Sequence, residues 1–163
     1  MNTRKLCLAS ILITFTIVMS NFSIPIGISR CYPIQHVVNI IAATLLGPVY
    51  SCFIAFVTSF LRNIMGSGTL LAYPGSMIGA LLAGILYHKT NLLSMAYLGE
   101  VVGTGIIGAI ACYPIATYLL GKECAIFTYV LPFLISTLSG AIIAAIFLGI
   151  LNKAKILDHI KTM

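Results

Sequence analysis

The chain has 163 residues, 60% of them hydrophobic and 7% charged, with a formal net charge of +6. A water-soluble domain of this size carries about a quarter charged residues, so the composition excludes a soluble globular protein and points to a lipid bilayer. The basic residues stand singly or in small groups at the ends of apolar segments, with no patch for phosphates, which argues against a nucleic-acid partner.

The first apolar segment, 6–24, follows Arg4 and Lys5 and stops at Pro25. It resembles a signal peptide, but the run is long and no small-residue cleavage site follows, so a retained helix is expected. Residues 25–33 (PIGISRCYP) read as a loop, with two prolines and a glycine. The next apolar run is too long for one helix and is interrupted at Gly47-Pro48, which gives helices over 35–46 and 49–64. Arg62-Asn63 closes the second of these, and Gly66-Ser67-Gly68-Thr69 opens a loop reaching Tyr73-Pro74. A fourth helix over 75–88 ends near Lys89, and a glycine-rich fifth covers 92–120 with Pro114 near its far end. After the turn Gly121-Lys122-Glu123, a sixth helix covers 125–151 and leads to a basic tail with Lys153, Lys155 and Lys161.

The reading is an all-α membrane protein, a six-transmembrane-helix bundle forming a single domain over 1–163. A span takes about 20 apolar residues, so six use most of the chain. An even count places both termini on one side. That side carries Arg4, Lys5, Lys89, Lys153, Lys155 and Lys161, and the other carries Arg30, Arg62 and Lys122. The positive-inside rule then makes both termini cytoplasmic. Without the break at Gly47-Pro48, five spans would place the termini on opposite sides.

Small residues recur every four positions: Gly75, Gly79 and Ala83; Gly99 and Gly103; Ser136, Gly140 and Ala144. Such stripes let membrane helices approach closely. No internal repeat is visible, which weighs against an inverted-repeat transporter. The five cysteines include no C-x-x-C pair, so a zinc site is not expected. Cys7, Cys52 and Cys112 fall within apolar runs. Cys31 and Cys124 fall in loops on the same side, where a disulfide is one option.

Polar residues within a membrane are costly, so each is a candidate for function. They gather on the outward half: Arg30, then His36 and Asn39 on one helical face, Arg62 and Asn63, Thr69 and Tyr73, and Tyr113. Each also has a structural reading. Arg30 can snorkel to lipid phosphates, and Arg62 can cap its helix C-terminus. His36 can sit at the interface, and Tyr73 and Tyr113 can belong to an aromatic belt. Glu100 is the one acidic residue within a span, roughly 12 Å deep if the helix starts at residue 92. Its options are a substrate hydrogen bond, a bond from Thr104 four residues on, or a place at the cytoplasmic boundary.

There is no G-x-x-x-x-G-K-[ST] for ATP, no paired carboxylate, and no serine or cysteine with an evident base beside it. His36, His88 and His159 are too dispersed for a metal site. Catalysis and a cofactor are therefore not expected, and uphill transport would need energy from another polypeptide.

The chain resembles the substrate-binding S components of energy-coupling factor (ECF) transporters, and most closely the ThiW family. The resemblance rests on Tyr32-Pro33-Ile34-Gln35-His36 with Asn39, on Leu46-Gly47-Pro48, and on Ser59-Phe60-Leu61-Arg62-Asn63. It continues through Gly66-Ser67-Gly68-Thr69-Leu70-Leu71-Ala72-Tyr73-Pro74-Gly75-Ser76-Met77 and Gly99-Glu100 with Gly103-Thr104-Gly105-Ile106-Ile107-Gly108. It implies a six-helix protein that captures the thiazole moiety of thiamine, hydroxyethylthiazole, from outside. It also implies docking on an ECF coupling transmembrane subunit that carries two ATPase subunits, where ATP is used. Stacking from Tyr73 or Tyr113 and hydrogen bonds from His36, Asn39 or Asn63 would suit such a ligand. The A-x-x-x-A docking pattern of many S components is not matched: Ala9 is followed by Ile13, and Ser10 by Thr14, so docking through Ala9, Ser10 and Thr14 is a modified expectation. Two rivals remain open. A channel would need a polar lining through the whole bilayer, and a membrane enzyme would need clustered acids.

Overall fold

Gly47 adopts φ +91° and ψ 177°, a backbone state that L side chains rarely enter, and Pro48 follows at the first turn of a helix. Glycine supplies the bend and proline starts the next helix with φ already set. The long apolar run is therefore two helices. The computed structural model describes residues 3–26 and 29–154. Among these, six helices and one strand pair follow in the order α1 (Thr3–Met19), β1 (Ile24–Ile26), β2 (Ser29–Cys31), α2 (Pro33–Leu46), α3 (Pro48–Ile64), α4 (Ala72–Thr90), α5 (Leu93–Leu119) and α6 (Val130–Lys153). The expected positions Lys155, His159 and Lys161 lie outside the described residues.

The boundaries move where side chains bond back to the main chain. α1 stops at Met19 rather than residue 24, because Ser20 turns the chain with its Oγ on the Ile17 carbonyl at 2.7 Å. The expected loop over 25–33 is instead an antiparallel pair with Ile24 opposite Cys31 and Pro25 opposite Arg30. Proline is compatible with it because a two-stranded ribbon has only edge strands. α4 begins at Ala72, earlier than expected, and ends where Asn91 takes the left-handed conformation (φ 56°) and its N–H bonds the Tyr87 carbonyl. α6 begins at Val130 rather than 125. Residues before it form turns that bury Tyr129 against Leu71, Ala109, Cys112 and Ala116. α5 runs through Pro114 because its turns widen to the i→i+5 pattern over Gly103–Gly108 and Ile115–Leu119.

α4 lies against α2, α3 and α5; α2 also contacts α6, and α1 rests on α2 and α3. The glycine stripes of α4 and α5 meet in antiparallel register. A Cβ on Gly99 would lie 2.7 Å from the Ala83 Cα, one on Gly103 2.7 Å from the Gly79 Cα, and one on Gly108 2.6 Å from the Gly75 Cα. The third stripe takes α2, with Gly140 against the His36 Cβ and the Pro33 carbonyl.

Beside its apolar clusters the interior holds many polar side chains, and the exterior is largely apolar, unlike the surface of a water-soluble protein. The largest fully buried side chains include Arg62, Glu100, Asn39, Thr16, Thr58, Thr104 and Thr137. The outward faces carry Ile11, Phe15 and Val18 on α1, Phe53, Phe56 and Phe60 on α3, and Leu131, Ile142, Ile146 and Ile150 on α6. α5 and α6 are long and apolar enough to cross a membrane, and α2 and α3 are shorter apolar helices. The two ends of the bundle are also distinct. Lys5 lies over the Tyr50 ring, 5.8 Å from its centre, and Pro48 sits where a Cβ on Gly84 would fall. The start of α1, the α2–α3 junction and the last turns of α4 therefore share one end.

Candidate functional site

At the opposite end the strand pair, the 65–71 connection and the 120–129 connection gather over a cavity of about 380 Å³. That volume is in the range of small-molecule sites. Exposed Pro25, Arg30, Thr69 and Lys122 mark its mouth, and buried Gln35, His36, Arg62, Ser76, Thr104 and Ser136 its depth. Tyr32, Tyr129 and Phe133 supply aromatic walls, with the Tyr129 and Phe133 rings 6.2 Å apart.

Beneath the cavity runs a hydrogen-bonded floor. Glu100 is fully buried, and its Oε1 accepts from Asn39 Nδ2 at 2.9 Å, from Thr104 Oγ1 at 3.1 Å and from His36 Nδ1 at 2.8 Å. An oxygen already serving as acceptor to two amide and hydroxyl donors makes His36 Nδ1 the third donor. His36 Nε2 reaches Ser136 Oγ at 3.1 Å, and that oxygen also accepts the Tyr32 N–H at 2.9 Å. On the other side Asn39 donates to the Ser76 carbonyl at 3.3 Å, and Ser76 Oγ meets Ser59 Oγ at 3.1 Å. Gln35 Nε2 donates to Ser59 Oγ, and Gln35 Oε1 accepts from Arg62 Nη1. Arg62 Nη2 and Tyr32 Oη both donate to the Ser67 carbonyl, and the Tyr32 ring covers the guanidinium at 3.9 Å. Five helices, α2 to α6, are thereby tied together in the deep half of the site. Gly79 makes room for it, since a Cβ there would fall 1.9 Å from Thr104 Oγ1.

Of the residues singled out by sequence, Arg30, His36, Arg62, Thr69 and Thr104 line the cavity. Asn39 and Glu100 lie one layer below and hold His36 and Thr104 in place. Asn63 faces away; its Nδ2 bonds the Ser59 and Thr69 carbonyls and fastens the 65–71 connection. Tyr73 does not line the cavity either, because the early start of α4 turns its ring against Phe56, 5.9 Å away. Tyr113 also lies off the cavity, next to the Pro114 turn of α5. The aromatic walls are instead Tyr32, Tyr129 and Phe133. The last two were legible as a ring pair four residues apart, and Gln35 as a third polar side chain on the first turns of α2. Ser136 was hidden within a small-residue stripe.

The docking expectation divides in the same way. Ala9 is buried in a cluster with Leu12, Val38, Ala42, Leu46 and Ile54, on the inward face of α1. Ser10 and Thr14 are exposed on the outer face of α1, although Ser10 Oγ is bonded to the Leu6 carbonyl at 3.0 Å. No disulfide joins Cys31 to Cys124; both thiols are free. Cys31 is directed inward to the Pro132 carbonyl at 3.3 Å, and burial pushes its thiol above the usual range. Burial likewise pushes the Tyr129 phenol up. Among the described residues, no group of three His, Cys, Asp or Glu side chains could hold a metal ion.

The site thus offers shape, aromatic walls and hydrogen-bonding groups, the equipment of a binding protein. No curated protein matches the chain. Residues 6–154 match the family of thiamine-precursor transporter proteins, ThiW. With its apolar exterior, buried polar interior and long apolar helices, the chain is a membrane protein and a transporter rather than an enzyme. It belongs to the ThiW family of thiamine-precursor transporters.

Proposed function

We propose that the chain is the substrate-capture S component of an ECF-type transporter and that its ligand contains the thiazole moiety of thiamine. All six helices cross the membrane in this reading, with both termini cytoplasmic and the cavity facing outward. The observation that carries it is the cavity beneath the strand pair, walled by rings and floored by the His36–Glu100–Asn39 network. A small heteroaromatic ring lies against Tyr129 and Phe133. Its ring heteroatoms exchange hydrogen bonds with His36, Ser76, Thr104 or Ser136, whose side chains are already fixed by their neighbours.

Energy comes from partners. The sequence holds no nucleotide-binding motif, so a coupling transmembrane subunit with two ATPase subunits drives accumulation and release. The exposed stripe of α1, with Ser10 and Thr14, supports docking there. The floor favours this reading over a channel. A conducting path would have to pass the Glu100 layer, where small residues pack backbone to backbone.

Two measurements test the proposal. The purified chain alone should bind a thiazole precursor saturably, and absence of binding at millimolar ligand would reject that substrate. In vesicles, uphill uptake should require the coupling subunit and ATPases; accumulation by this chain alone would reject the S-component role.

A further inference from the structure

Charge on the cavity wall is one-sided. Arg30, Arg62 and Lys122 line it, and among the described residues no aspartate or glutamate does. The chain holds three acidic residues in all. Glu100 lies below the wall, committed to His36, Asn39 and Thr104. Glu123 is exposed in the turn after α5 and does not line the cavity, and Asp158 lies outside the described residues. Among the described residues the one acidic pairing is His36 with Glu100, so none of the three wall cations has a carboxylate partner.

Arg62 makes the imbalance specific. It is 1% exposed, yet everything that touches its guanidinium is neutral: the Gln35 side-chain carbonyl, the Ser67 carbonyl and the Tyr32 ring. Its Nε has no partner. Buried cations are normally matched by charge as well as by hydrogen bonds. The C-terminus of α3 supplies the equivalent of about half a negative charge, too little for three cations around one cavity. A ligand anion would complete the set, and a guanidinium is the side chain best shaped to grip a phosphate or carboxylate.

We infer that the ligand enters this cavity as an anion: a small heteroaromatic ring bearing a phosphate monoester or a carboxylate, with the anionic group toward Arg30, Arg62 and Lys122. The inference rests on the cavity being the capture site for a thiamine precursor and adds the charge of that precursor. The neutral alcohol is then the weaker ligand, and its phosphate ester the better one.

Calorimetric titration of the full-length chain in lipid nanodiscs tests this with matched pairs. The pairs are hydroxyethylthiazole and its phosphate ester, and the hydroxymethylpyrimidine half of thiamine and its phosphate ester. A thiazole carboxylate of similar size separates phosphate recognition from recognition of any anion. The phosphorylated thiazole should bind at least about tenfold more tightly than the alcohol, and that margin should shrink at high salt as the charges are screened. Arg30→Gln and Lys122→Gln alter exposed residues at the mouth. Each should weaken the phosphorylated ligand by roughly fivefold and so narrow its margin over the alcohol. Equal or tighter binding of the alcohol overturns the inference and leaves thiazole capture standing. Preference for the phosphorylated pyrimidine upholds the anion and overturns the thiazole. No binding by any member overturns both.

Discussion

Glu100 shows how one side chain can set a site without lining it. Its Oε1 collects three donors while Oε2 is buried without a partner. Glu100→Ala would leave His36, Asn39 and Thr104 facing an apolar gap, and losing one member of a buried polar cluster costs about 3 kcal/mol. Thermal unfolding in detergent should show a clear fall in Tm, and an unchanged Tm would contradict the account. The cysteines give a second test at this scale. The thiolate is the reactive form, and Cys31 is buried with its thiol held protonated, whereas Cys124 is half-exposed. A maleimide applied to the folded protein at neutral pH should modify Cys124 well before Cys31; equal rates would contradict the burial. Residue chemistry was legible wherever a polar group interrupts an apolar run, as at His36, Asn39, Arg62 and Glu100. It was not legible for Tyr73 and Tyr113, because a ring at the membrane boundary carries no mark of which way its helix is turned. The His36–Glu100 bond, between residues 64 positions apart, needed the fold to be seen.

The helices are held at backbone distance by what they lack. Where α4 crosses α5, Gly79 and Gly103 leave no space for a methyl group, whereas a Cβ on Gly149 meets nothing within 4 Å. Gly103→Leu should force the pair apart and cost about 3 kcal/mol, shifting Thr104 and lowering ligand affinity with it. Gly149→Ala should be neutral or slightly stabilising, since alanine favours helix. Similar thermal stability for both variants would contradict the packing. Six helices were readable from hydropathy and from the Gly47-Pro48 break, and the stripes foretold which faces meet. The strand pair over 24–31 was not readable. Two prolines and a glycine signal a loop, and a ribbon of three residues per strand has too little alternation to betray itself.

At the scale of the molecule, the apolar exterior and the gathering of three connections at one end define the account. Arg30, Thr69 and Lys122 come from three separate connections yet border one cavity. This follows if α1, α3 and α5 run one way and α2, α4 and α6 the other. That arrangement puts Lys5 and Lys89 at the opposite end, the end that the positive-inside expectation assigns to the cytoplasm. In the proposed reading, a chain built this way captures solute on one side of the membrane and relies on partner subunits to move it.

Cysteine protection on intact cells tests that claim most directly. With the native cysteines replaced by serine, Thr69→Cys places one thiol at the cavity mouth. An impermeant maleimide should label it from outside, and a thiazole precursor, as the alcohol or its phosphate, should slow the labelling saturably. Labelling only after the cells are permeabilised, or labelling indifferent to both ligands, would contradict an outward cavity that captures a thiamine precursor.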